Sequence, residues 1–108
     1  MTYHVLEIKA TGAIVKTVQS EEPDYEQQSK AVGGYIETIP YFTKLTHEGI
    51  AYKRGTAFAN EEGHLYGLPM NLRAMDFWLK SCSKGDPKRM RLAGDVIFYA
   101  KVKENSHG

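Results

Sequence analysis

The chain has 108 residues, with 14 Lys plus Arg against 13 Asp plus Glu and a formal net charge of +1. This length holds one hydrophobic core, and so even a charge balance excludes whole-molecule steering toward nucleic acid or an acidic membrane, which only local patches would provide. A 42% hydrophobic and 25% charged composition is that of a packed globular domain, and 7 Tyr, 4 Phe and 1 Trp predict an aromatic-rich core.

Residues 3–9 and 13–18 are β-branched and aromatic runs separated by Ala10-Thr11-Gly12, which predicts a hairpin with Gly12 in the turn. Leu6 and Ile8 share one face of its first strand, Val5 and Glu7 the other. Ser20-Glu21-Glu22-Pro23-Asp24 then supplies a capping hydroxyl, acidic residues suited to a helix start and a proline tolerated in the first turn. A helix over about 22–31 follows, with Tyr25, Gln28 and Val32 toward the sheet, and Gly33-Gly34 ends it through a left-handed residue. Residues 35–42 form a predicted strand whose Tyr35, Glu37, Ile39 and Tyr41 alternate onto one face, with Pro40 near its end.

Residues 43–49 have the composition of a polar loop, and 50–59 that of a strand weakened at Gly55. Asn60-Glu61-Glu62-Gly63 has the residue order of a type I turn with Gly63 at positive φ, after which 64–67 are expected to pair back as a short strand. Beyond Pro69, Asn71 caps a predicted helix over 71–82, in which Leu72, Met75, Leu79 and Cys82 recur as an apolar stripe with Trp78 beside them, buried against the sheet. Gly85 and Pro87 break it, and Gly94-Asp95 leads into a strand over 96–103. The expected organisation is one α+β domain over 1–103 with a flexible tail at 104–108. The element order is β-β-α-β-β-β-α-β. The short turns favour a mixed or antiparallel sheet of five to six strands with both helices on one face.

Gly33-Gly34-Tyr35-Ile36-Glu37, the Glu61-Glu62-Gly63-His64-Leu65-Tyr66-Gly67-Leu68-Pro69-Met70-Asn71 stretch and Leu92-Ala93-Gly94-Asp95-Val96-Ile97 together resemble the DUF3846 family, small proteins of unknown function from phages, large DNA viruses and mobile elements. The resemblance spans about 33–102, and Gly-Leu-Pro-x-Asn is its most distinctive part. It implies a viral or mobile-element accessory protein with a host or phage protein as partner, and it carries no catalytic residue.

A single cysteine, Cys82, excludes an internal disulfide and fits a reducing compartment. Without a visible targeting segment or a membrane-length apolar run, a cytoplasmic location is expected, in the host cell if the chain is viral, and no membrane partner. No motif calls for a cofactor or a metal.

Three functional readings follow. The first is a non-enzymatic interaction module whose partner-binding face carries Tyr35, Glu37 and Tyr41, with a homodimer contact as the alternative use of that face. The second is a nucleic-acid binder using the basic 80–91 loop, with Lys84, Lys88, Arg89 and Arg91 on phosphates. The third is a small enzyme centred on Glu37 and His64. Against these stand ordinary roles: Glu61 and Glu62 solvated in a turn, Asn71 as a cap, Cys82 as a small core residue, and Gly33, Gly34, Gly63, Pro69, Asn71 and Gly94 as structural positions.

Overall fold

The computed structural model describes residues 1–83, 85–86 and 89–103, so the 104–108 tail, Lys84, Pro87 and Lys88 lie outside the described residues. The order is β1 (Thr2–Ile8), β2 (Ile14–Gln19), α1 (Tyr25–Val32), β3 (Ile36–Thr38), β4 (Leu45–His47), β5 (Ile50–Tyr52), β6 (Thr56–Asn60), α2 (Leu72–Ser81) and β7 (Val96–Val102). A five-stranded sheet runs β2-β1-β7-β6-β3 and a two-stranded sheet joins β4 to β5. Every strand pairing is antiparallel. The chain is thus an α+β domain, with one strand more than the sequence suggests.

The helices do not share a face. β1 buries Val5 and Leu6 on opposite sides, and β7 buries Val96 through Ala100 without interruption, so both surfaces of the central strands need a cover. On one side α1 brings Val32 against Val5, Ile97 and Tyr99. On the other, Ala74 of α2, Phe42 and the β4–β5 residues Leu45 and Tyr52 close over Leu6, Ile8, Val96 and Phe98. Continuous apolar runs, rather than alternating ones, were the sequence sign of this double cover.

Several local expectations are corrected. The cap of α1 is Asp24, not Ser20: its backbone is extended and its carboxylate accepts the Gln27 N–H at 2.8 Å. Gln28 and Val32 are buried as expected, but Tyr25 is turned out to solvent. The 35–42 run forms a strand only at Ile36–Thr38, because Ile39 still donates to Ala57 but Tyr41 adopts a left-handed φ of 61° and ends the alternation. The 43–49 segment holds a hairpin: His47 pairs with Ile50 across Glu48 and Gly49, whose φ values of 50° and 78° suit a primed two-residue turn. The 50–59 run is split between the two sheets at Gly55, where a side chain would overlap the Phe98 ring.

Residues 64–67 are not a strand. Gly63 donates to the Asn60 carbonyl at 3.1 Å, closing the expected turn, and the chain then continues through Tyr66 N–H to Glu62 and Leu68 N–H to Gly63 until Gly67, at φ 65°, reverses it. Gly63 itself does not need positive φ. It needs the absence of a side chain, since a Cβ there would stand 2.8 Å from the Ala93 carbonyl oxygen. Gly33 does adopt φ 80°, and Gly94 adopts φ 84° against Leu68. In α2, Leu72 faces solvent and Ala74 is the buried contact, with Met75, Phe77 and Trp78 half-buried around it. Trp78 donates to the Pro40 carbonyl at 2.7 Å and so sits at the rim of the core, not beneath the sheet.

The pivot of this arrangement is Asn71, fully buried. Its Oδ1 accepts the Ala74 N–H at 3.0 Å while its Nδ2 donates to the carbonyls of Ile8 at 2.7 Å and Gly94 at 2.9 Å. Around it, Asn71 N–H donates to Leu92 and Gly94 N–H to Pro69, making a short antiparallel bridge of 69–71 with 92–94. The two motif segments that are far apart in sequence are one structural unit.

Candidate functional site

Tyr35, Glu37 and Tyr41 are all exposed, but they do not form one surface. Glu37 lies opposite Ala59 on the face of α2, whereas Tyr35 precedes β3 at the sheet end and Tyr41 stands beside the C-terminus of α2, with Thr43, Ser81 and Cys82. The left-handed turn at Tyr41 separates it from the other two. Glu37 stands on β3 opposite Ala59, whereas the His64 Nε2 is directed to the Arg91 carbonyl at 3.3 Å. Among the described residues no group of three or more His, Cys, Asp or Glu is placed to hold a metal ion. Nor is any helix among them long and apolar enough to cross a membrane.

In the 80–91 loop the described cations are partly neutralised nearby. Lys80 pairs with Asp76 at 2.9 Å and Arg89 approaches Asp86 at 3.8 Å. Arg91 is exposed, while Lys84 and Lys88 lie outside the described residues.

What the structure does bring together is a tyrosine-lined depression at the Asn60 end of β6. Gly33 and Gly34 end α1 under hydrogen bonds to the Ser29 carbonyl, and the Ser29 hydroxyl donates to the Gly34 carbonyl, so the helix end is satisfied internally. The Asn60 side chain ties this helix end to the following turn: Nδ2 donates to the Val32 carbonyl at 3.1 Å and Oδ1 accepts the Glu62 N–H at 2.8 Å. Gly34 must be small here, because a Cβ would lie 3.0 Å from the Asn60 amide nitrogen. The turn then presents Glu62 and Tyr66 opposite Tyr25 and Tyr35. Together these residues line an open hollow of about 290 Å³.

Tyr25, Tyr35 and Tyr66 are 54%, 65% and 69% exposed, and Leu65 beside them is 79% exposed. The Glu62 carboxylate acts on the Tyr66 hydroxyl as hydrogen-bond acceptor and as negative charge. With slight burial and the Tyr35 phenol adding to it, this raises the Tyr66 pKa above its ordinary value. No cation among the described residues pairs with Glu62. Past Tyr66 the surface continues into a second hollow of about 370 Å³, which shares Gly33, Asn60 and Tyr66 with the first and ends at Asp95. Asp95 accepts the Ala10 N–H at 2.9 Å and meets Lys9 at 3.6 Å, but Lys9 is also shared with Glu7 at 3.3 Å, which leaves one net negative charge in that trio.

Sequence reasoning does not single out Tyr25 and Tyr66 as contact residues. Tyr25 lies on the i, i+3, i+7 row with Gln28 and Val32, which suggests burial, and Tyr66 lies in a segment whose residues suggest a strand. No family model, no curated protein and no solved structure matches the chain, so comparison neither supports nor refutes its resemblance to the DUF3846 family.

Proposed function

We propose that the chain is a non-enzymatic interaction module that grips a basic segment of a protein partner at the Tyr25–Tyr35–Tyr66 groove. The observation that carries this reading is the gathering of three exposed tyrosines around a carboxylate that no described cation neutralises. Tyrosine offers large apolar area with a hydrogen-bonding end at small entropic cost, which suits the centre of an interface. Its ring face also attracts a guanidinium or ammonium, most strongly where water is displaced. Glu62 on one side of Tyr66 and Asp95 on the other provide charge complementary to two basic residues of an extended segment. At about 290 Å³ the hollow lies at the lower edge of the roughly 300–1,000 Å³ typical of small-molecule sites. Tyr35 keeps the partner-binding role expected of it, whereas Glu37 and Tyr41 lie outside this groove. The resemblance to a viral and mobile-element family makes a host or phage protein the natural partner.

The test is a titration of the isotopically labelled chain with an arginine- and lysine-containing peptide and with an acidic peptide of equal length. Amide shifts are expected at Ser29, Gly34, Asn60 and Glu62 with the basic peptide only, and they should vanish in a Tyr35→Ala, Tyr66→Ala double variant. Equal shifts with both peptides, or none with either, would overturn the reading. A Glu62→Gln variant that bound the basic peptide as tightly as the parent chain would remove its electrostatic part.

A further inference from the structure

The opposite end of the sheet has the reverse character. β6 runs from Thr56, opposite Tyr99, toward Asn60, so the β5–β6 connection lies at the end where β7 finishes, away from the tyrosine groove. There Ile50 through Arg54 and Lys101 through Lys103 line a hollow of about 700 Å³, to which Met1 also contributes. A neighbouring hollow of about 270 Å³ shares Ala51, Tyr52 and Lys53 with it and adds Lys44 and Lys80. The two make one basic track running Lys80, Lys44, Lys53, Arg54, Lys103, while Lys101, opposite Tyr3 in the sheet, extends from the same end onto the face of α1. Neither hollow is lined by an acidic residue. Lys80 is engaged by Asp76, but no carboxylate among the described residues pairs with Lys44, Lys53, Arg54, Lys101 or Lys103.

The backbone that carries these charges is anchored. Arg54 is held at a left-handed φ of 54° in the step between the two sheets, and Gly55 anchors that step through its N–H to the Thr43 carbonyl at 2.8 Å. Lys101 extends over the Tyr3 ring, 5.8 Å from its centroid. Tyr52, whose hydroxyl meets His4 Nδ1 at 2.9 Å, fixes β5 in the core. Among the described residues Lys44, Lys53, Arg54 and Lys103 have no acidic partner, in a chain whose total charge is only +1.

We infer that this track is a docking surface for the phosphate backbone of a nucleic-acid duplex, bound without reading base sequence. Charge complementarity selects a polyanion. The duplex is favoured over a single strand because unpaired bases need exposed rings to stack on, and of the two aromatic rings lining the hollows Tyr52 is only 3% exposed while Phe77 is half-buried with the Arg73 guanidinium over its ring. The residues differ from those of the 80–91 loop, save Lys80 at its edge, and the site is independent of the tyrosine groove.

The experiment is fluorescence anisotropy of the intact chain with a labelled duplex, and with one of its single strands, over a range of salt. The duplex should bind with little dependence on sequence, and the logarithm of its affinity should fall linearly with the logarithm of salt, by about 0.9 per phosphate contact. A Lys53→Gln, Lys103→Gln double variant should lower that slope by about 2, one for each lysine replaced, and Lys53→Glu, Lys103→Glu should abolish binding. Both lysines are exposed, and far-ultraviolet circular dichroism confirms that each variant folds. Tighter binding of the single strand, an unchanged slope in the glutamine variant, or loss of binding in Arg89→Gln, Arg91→Gln instead would each overturn the assignment.

Discussion

Replacing Asn71 by Ala removes three hydrogen bonds at a fully buried position, and each can be valued separately. Loss of the cap on the Ala74 N–H costs about 1 kcal/mol. The carbonyls of Ile8 and Gly94 lose their donor in a site without access to water, at about 1–2 kcal/mol each. The expected total is about 3–5 kcal/mol, a large share of the roughly 5–15 kcal/mol that stabilises a domain of this kind. Urea unfolding followed by circular dichroism measures it. Asn71→Asp separates the parts, since it keeps the capping oxygen but sets a carboxylate against two carbonyl oxygens. It should cost at least as much as Ala at neutral pH, and less in acid, where the protonated carboxyl donates to one of them. An Asn71→Ala cost near ~1 kcal/mol, the value of the cap alone, or an Asp variant as stable as the parent, would show that the two carbonyls do not depend on this amide and would refute its role as the pivot.

Gly63→Ala should destabilise by about 1–3 kcal/mol through backbone displacement, because its Cβ would lie 2.8 Å from the Ala93 oxygen and 3.3 Å from the Asn60 oxygen; unfolding curves that superimpose on the parent's would contradict this. Trp78→Ala should cost roughly 2–3 kcal/mol, less than the ~3–5 of a fully buried aromatic, and the native fluorescence maximum should lie between those of buried and free indole. Burial, reinforced by the charge and hydrogen bond of Glu22, lifts the Tyr99 hydroxyl from 10.0 to about 12. Because the folded value is the higher one, the stability it contributes is complete below pH 10 and disappears as pH rises toward 12. An ultraviolet phenolate titration should therefore show a last tyrosine step near 12 that is absent in Tyr99→Phe.

The elements that were legible in the sequence are those whose signals are local. Asn71 caps α2, Gly33 closes α1 and the β1–β2 hairpin turns at Gly12, since a cap or a left-handed turn is decided by a few neighbouring residues. What escaped was decided at long range. The split at Gly55 is imposed by the Phe98 ring, and the smallness of Gly63 by Ala93, neither of which is near in the chain. The β4–β5 hairpin was hidden because Glu48 occupies a positive φ that Asn or Asp would have advertised. Of the candidate contact residues, Tyr35 is expected from its alternation with Glu37, Ile39 and Tyr41 along one strand face. Tyr25 and Tyr66 required knowledge of which way α1 rolls and where the 61–67 turns face. The basic track was invisible for the same reason, as its unpaired cations come from three separate segments.

The central place of β7 governs how the molecule is made. Its register sets Thr2 opposite Val102 and Ile8 opposite Val96, so the strand at the middle of the sheet is the last in chain order and its neighbour β1 is the first. Closing so long a loop is an early entropic cost that no local contact offsets, and topologies of this kind fold slowly. While the ribosome still holds the segment that becomes β7, the apolar edges of β1 and β6 have no neighbour between them. Nascent chains are therefore open to misdirected pairing until synthesis has passed this strand.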